Sequence, residues 1–191
     1  MVFDLRNLSV GYALRRGLGL IVSAFRVLCY KLIYGPSALR GPTFCFGAGL
    51  NVNIRNGGVF EYGTINVRRN LSIFCDGGRV RIGGGAFFNA GCSLNAMEEI
   101  SIGENTLFGE GVKVYDHNHC VQSNGEVSHN EFATAPISIG RNCWIGSNVV
   151  ILKGVNICDG VTVGAGAVIS RSIPEPGVYV CRSLSALTHI R

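Results

Sequence analysis

Along most of the chain, apolar residues return every six positions. Aliphatic side chains recur at Ile139, Ile145, Ile151, Ile157, Val163 and Ile169, and four residues after each comes a second apolar position: Cys143, Val149, Val155, Val161, Ala167 and Ile173. An α-helix repeats its buried face about every 3.6 residues and a strand about every two, so neither element gives this spacing. Two core positions per hexad instead describe a solenoid in which three short strands make one triangular coil. The same register runs upstream through Ile102, Phe108 and Val114, with Thr106 and Val112 in second position, and through Ile82, Phe88 and Leu94, with Ala86 and Cys92. One coil cannot bury its own apolar face, so coils must stack and pair backbones with their neighbours. Residues 42–81 fit less well, with Val67, Leu71 and Ile73 the best fragment, and are expected to form imperfect first coils. Many of the 27 glycines belong at corners, where a positive φ is cheap only for glycine. The pattern predicts an all-β fold, a parallel β-helix of triangular coils over residues 42–173, followed by a tail over 174–191.

The period breaks once, between Val114 and Ile139, and residues 115–136 are expected to form a loop inserted into a rigid scaffold. Such loops concentrate functional residues. It opens with Tyr115-Asp116-His117-Asn118-His119-Cys120 and holds three of the four histidines, His117, His119 and His129; His189 reads as tail. Neutral imidazole accepts a proton near neutral pH, so a histidine fixed at this point suits general base chemistry. Asp116 or another carboxylate could orient its second nitrogen.

The N-terminal segment changes the picture in a different way. Residues 1–41 hold Arg6, Arg15, Arg16, Arg26, Lys31 and Arg40 against Asp4 alone, while the remainder balances eleven basic against eleven acidic residues; the net charge of +5 is therefore N-terminal. Interleaved with these charges are Leu18, Leu20, Ile21, Val22, Phe25, Val27, Leu28, Leu32 and Ile33. This composition predicts a basic, largely helical segment that packs on the domain or rests on an anionic membrane surface. Its longest uncharged run, Gly17 to Phe25, is about half of the roughly 20 residues a spanning helix requires, and no small-residue cleavage site follows it. Neither a membrane span nor a cleaved signal peptide is expected, and nothing points to nucleic acid. Eight scattered cysteines without a CxxC pair fit a reducing cytoplasm, and those at inward hexad positions read as small hydrophobes.

The hexads over residues 82–177 resemble the hexapeptide-repeat acyltransferases. The run from Ile139-Gly140-Arg141-Asn142-Cys143-Trp144-Ile145-Gly146-Ser147 through Gly154-Val155 and Gly164-Ala165-Gly166 is similar to the C-terminal half of galactoside, maltose and capsular-polysaccharide O-acetyltransferases. This resemblance implies a left-handed coil, a homotrimer with active sites between subunits, and acetyl-CoA as co-substrate without a metal. It implies His117 as the catalytic base, with Asp116 and His119 as supporting candidates. It further implies donor contacts from Ser147, Ala165, Ser170 and Arg171, with Ser170 and Arg171 continuing one edge line, and a stacking role for Trp144. Asn89 corresponds to an acceptor-binding asparagine. The implied acceptor is a carbohydrate hydroxyl on a bacterial surface polysaccharide or its precursor, with the enzyme cytoplasmic or peripheral to the inner face of the membrane.

The chain departs from the family pattern at its end, where Val180-Cys181-Arg182-Ser183-Leu184 replaces the common Gly-x-Pro-Ala turn, and it lacks the second acceptor asparagine. Two rivals share the fold: an N-acetyltransferase of an amino sugar nucleotide and a noncatalytic scaffold. A zinc enzyme of the γ-carbonic-anhydrase kind needs an H-x4-H pair, which His117-x-His119 does not supply.

Overall fold

The computed structural model describes residues 10–43 and 46–180; Cys45, Cys181 and His189 lie outside them. Parallel strands wind into a β-helix of about seven turns behind one N-terminal helix, the left-handed triangular architecture that the hexads and their resemblance imply. Three stacked faces make the triangle. The first runs through Val59–Tyr62, Arg79–Ile82, Glu99–Ile102, Ile137–Ile139 and Asn156–Ile157. The second runs through Phe87–Phe88, Leu107–Phe108, Trp144–Ile145 and Val161–Val163. Ser93–Ala96, Lys113–Tyr115, Val150–Ile151 and Val168–Ile169 belong to the third.

Equivalent hexad residues pair directly across rungs. Phe88 pairs with Phe108, Phe108 with Ile145 and Ile145 with Val163 on the second face. Leu94, Val114, Ile151 and Ile169 form the corresponding column on the third. All the second-position residues named above are buried, Thr106 among them; its hydroxyl donates to the Gly140 carbonyl and accepts from the Cys143 N–H. In the centre the Phe88 and Phe108 rings stack with centroids 4.5 Å apart. Phe108→Ala is expected to lower stability by about 3–5 kcal/mol, seen as a fall in urea midpoint at unchanged slope.

The early coils are longer than the late ones, and this is why residues 42–81 hide their register. Tyr62 pairs with Ile82 and Ile82 with Ile102, twenty residues per coil, whereas Ile139 pairs with Ile157 after eighteen. The extra residues sit at the corner between third and first faces, at Asp76-Gly77-Gly78 and Ala96-Met97-Glu98. Past residue 173, where the coil was expected to end, Gly177–Tyr179 still pairs with Val161–Val163 and adds a rung.

The helix, Val10–Ala38, kinks at Gly35, whose φ of 75° precedes Pro36. One narrow face packs on the first coil: Val27 and Ser23 are buried, and the Tyr30 and Tyr34 hydroxyls donate to the Leu50 and Val52 carbonyls. The helix thereby covers an end of the solenoid that would otherwise present unpaired backbone. It runs unbroken through Arg26 and Lys31, so Gly17–Ala38 is long and apolar enough by length and composition to cross a membrane, which the count of uncharged residues had argued against.

Burial also sets the cysteine chemistry. It pushes the Cys75 thiol up to about 12 and raises Cys92 and Cys143, so all three should stay unalkylated by iodoacetamide in the native state, whereas unfolding in urea should expose them. Among the described residues all six cysteines are free.

Candidate active site

The inserted segment is a β-hairpin. His117–Val121 pairs antiparallel with Val127–Thr134, with His117 opposite Thr134 and His119 opposite Phe132. Its neck is clamped to the coil, where the Ala135 N–H donates to the Asp116 carbonyl and the Gly154 N–H to the Ala135 carbonyl. His117 therefore leaves the scaffold at its first residue beyond the rigid wall.

Asp116 is the inward residue of that corner and its side chain is fully buried. A bare carboxylate in such a place would be costly, but backbone donors surround it. The Met97 N–H lies 2.9 and 3.1 Å from the two oxygens and the Glu98 N–H donates to Oδ2 at 2.8 Å. These two donors belong to the long corner of the preceding coil, so the extra residues of the early coils end in an anion-binding turn beneath Asp116. The remaining capacity of Oδ1 faces His117 Nδ1 at 3.0 Å. A carboxylate only accepts, so Nδ1 carries the hydrogen and Nε2 presents a lone pair.

The imidazole is held laterally as well. Tyr115 and Phe132 present edge-on contacts, with centroids at 6.5 and 5.6 Å, and 16% of the His117 side chain remains accessible. Neither aromatic was legible as a site residue: only the hairpin register brings Phe132 back beside a histidine fifteen positions earlier. His119 takes a different part from a direct support of His117. Its Nδ1 donates to the Ser128 carbonyl at 2.9 Å and its ring lies 4.6 Å from Phe132, so it buttresses the aromatic wall. Among the described residues no three His, Cys, Asp or Glu side chains converge as a metal site would require.

The residues expected on the donor and acceptor side divide between two corners. Ser147 and Ala165 stack at the corner between second and third faces, joined by the Gly166 N–H donating to the Ser147 carbonyl at 2.8 Å. The Ser147 hydroxyl accepts from the Glu110 N–H. Asn89 stands lower on the same corner, its side chain accepting from the Ala90 N–H. Ser170 and Arg171 do not continue this line. They follow the third face, one corner on, stacked above Leu152 and Lys153 and so on the edge that carries Asp116 and His117. There they line a cavity of about 350 Å³ with Ile169 and Tyr179. The hexad spacing that separates Ala165 from Arg171 spans one full side of the triangle, which is why an eighteen-residue line cannot include both. Trp144 faces outward on the second face and is 56% exposed between Leu107 and Thr162.

Residues 136–171 match the family described as hexapeptide repeat of succinyl-transferase. An Escherichia coli protein named as a lipopolysaccharide biosynthesis O-acetyl transferase, WbbJ, is 33% identical over 144 residues, 64% of this chain and 67% of that one. The chain belongs to the hexapeptide-repeat acetyltransferase family. Galactoside O-acetyltransferase of Escherichia coli is 35% identical over 53% of this chain and 49% of its own length. The chain thus spans only about half the length of that relative, and 47% of a fission-yeast relative, Schizosaccharomyces pombe, named as an acetyltransferase. Among solved structures, a mutant of AntD, an N-acyltransferase from Bacillus cereus, in complex with dTDP and coenzyme A superposes with a TM-score of 0.66 at 18% identity over 81% of this chain and 83% of its own. A hexapeptide-repeat acetyltransferase from Vibrio cholerae complexed with acetyl coenzyme A gives 0.54 at 19% over 94% and 88%.

Proposed function

We propose that this protein is an O-acetyltransferase that moves the acetyl group of acetyl-CoA to a sugar hydroxyl on a bacterial surface polysaccharide or its precursor. The observation that carries the reading is the Asp116–His117 pair, in which a buried, backbone-bound carboxylate fixes the imidazole tautomer and leaves Nε2 as a base at the mouth of the hairpin. In the reaction, Nε2 takes the acceptor hydroxyl's proton as its oxygen attacks the thioester carbonyl. The C–S bond then breaks, the CoA thiolate takes the proton back from the imidazolium, and the products are the acetyl ester and CoA-SH.

The two corners support a homotrimer. Asn89, Ser147 and Ala165 lie on one edge of the coil, and His117, Lys153, Ser170 and Arg171 on the next, with a six-residue side of up to roughly 20 Å between them. A neighbouring copy that sets its first edge against this chain's second makes one groove from both. The pantetheine arm would run along the Ser147 and Ala165 backbones and the CoA phosphates would meet Arg171, with Trp144 available to stack. Sedimentation should give three times the 20.4 kDa chain mass. Arg171→Glu is expected to weaken acetyl-CoA binding about tenfold or more by calorimetry, since it reverses the charge offered to the phosphates.

The free cysteines fit the reducing cytoplasm. The reading is tested by thioester consumption with acetyl-CoA over a panel of glycans and amino sugars. Ester formation on a glycan hydroxyl is the expected result. Acetylation of a free amine would make the protein an N-acetyltransferase, and failure to bind acetyl-CoA would leave only a scaffold.

A further inference from the structure

The helix that covers the first coil buries one stripe and leaves another bare. Ser23, Val27, Tyr30 and Tyr34 recur at helical spacing against the coil, while Leu18, Ile21, Phe25, Leu28, Leu32 and Ile33 recur at the same spacing on the opposite side. That outer stripe is not residual exposure of an ordinary surface helix: Ile21 and Phe25 are 68% exposed, Ile33 69% and Leu32 78%. A soluble helix places polar residues there, so an apolar outer arc calls for a partner.

Charge decides which partner. Between residues 5 and 60 the sequence contains seven basic residues and no Asp or Glu, and of these Arg40 is paired with Glu61. A second copy of the same segment would bring two basic segments together, whereas an anionic lipid surface supplies an apolar layer and the opposite charge in one partner. Attachment also fixes the orientation. Lys31 Nζ donates to the Gly41 carbonyl at 2.7 Å and to the Thr43 hydroxyl, and the tyrosine bonds tie the same face to the coil. Lipid could surround this helix only if those contacts broke, so the helix meets the bilayer with one side.

We propose that the 17–34 stripe seats this protein on the surface of an anionic bilayer, with the helix lying in the interfacial plane and the solenoid standing away from it. The inference is independent of the acetyl-transfer reading, because partition to vesicles is measured without turnover. It also gives the N-terminal segment both roles open to it from composition, since opposite faces of one helix serve the coil and the lipid.

The experiment is co-sedimentation of the full chain with phosphatidylcholine vesicles, and with vesicles in which about one third of the lipid is phosphatidylglycerol. Capture by the anionic vesicles should exceed capture by the neutral ones at least about tenfold and fall as salt is raised. Phe25→Glu/Leu32→Glu should cut capture by about tenfold or more while melting temperature and oligomer mass stay those of the wild type. An alkaline carbonate wash should strip the bound protein. No capture by anionic vesicles, equal capture of the double variant, or a change in its oligomer mass would overturn the proposal. Resistance to the alkaline wash would overturn the in-plane orientation and make the helix a span.

Discussion

Asp116→Asn should keep the coil intact and lower turnover about 10²- to 10⁴-fold. The wild-type carboxylate serves three donors at once: the Met97 and Glu98 N–H groups, and His117 Nδ1–H. An asparagine has one acceptor oxygen. The two backbone donors cannot turn, so they take the oxygen, and the amide NH2 is left facing His117. Nδ1 must then accept, the imidazole hydrogen moves to Nε2, and the position that should receive the acceptor's proton is already occupied. Asp116→Ala separates this effect from folding, because it leaves the Met97 and Glu98 N–H groups without their carboxylate partner and should lower stability by about 2–5 kcal/mol. Urea titration of both variants beside thioester turnover checks the pair. An Asn variant with wild-type turnover would mean that Asp116 holds the corner and does not set the tautomer.

The hexads from Ile82 onward were legible because each coil buries the same two positions and the sixes break only at Ala96-Met97-Glu98 and at the hairpin. Phe88, Val112, Val149 and Ala167 occupy the interior that the period assigned them. Register was lost in residues 42–81 because the early rungs are longer than eighteen and uneven: Tyr62 pairs with Ile82 after twenty residues and Ile73 with Leu94 after twenty-one, so a search for sixes slips there. The corner at Ala96-Met97-Glu98 places the Met97 and Glu98 donors under Asp116, which explains why the support of the proposed base was invisible in the sequence. His117 announced itself by standing where the period breaks. Phe132 did not, since an antiparallel register inside the hairpin has no counterpart in the hexad pattern. The placing of Ser170 and Arg171 on a single line with Ser147 failed because a line of hexads turns a corner every six residues. The N-terminal helix was readable in charge and apolar content, but which stripe met the coil depended on Tyr30 and Tyr34 finding the Leu50 and Val52 carbonyls.

His117→Ala bears most heavily on the proposed chemistry. The ring lies between Tyr115 and Phe132 at the hairpin mouth and accepts no backbone bond, so its removal should leave the melting transition within about 1 kcal/mol of wild type. In the proposed reaction it removes the proton acceptor for the attacking hydroxyl. The decisive measurement is acetyl-CoA thioester consumption by wild type and His117→Ala in parallel, each with the acceptor that the wild-type panel identifies. Loss of turnover by about 10²-fold or more, with acetyl-CoA affinity unchanged, is the predicted result. Wild-type turnover in the variant would contradict the assignment of His117 as base.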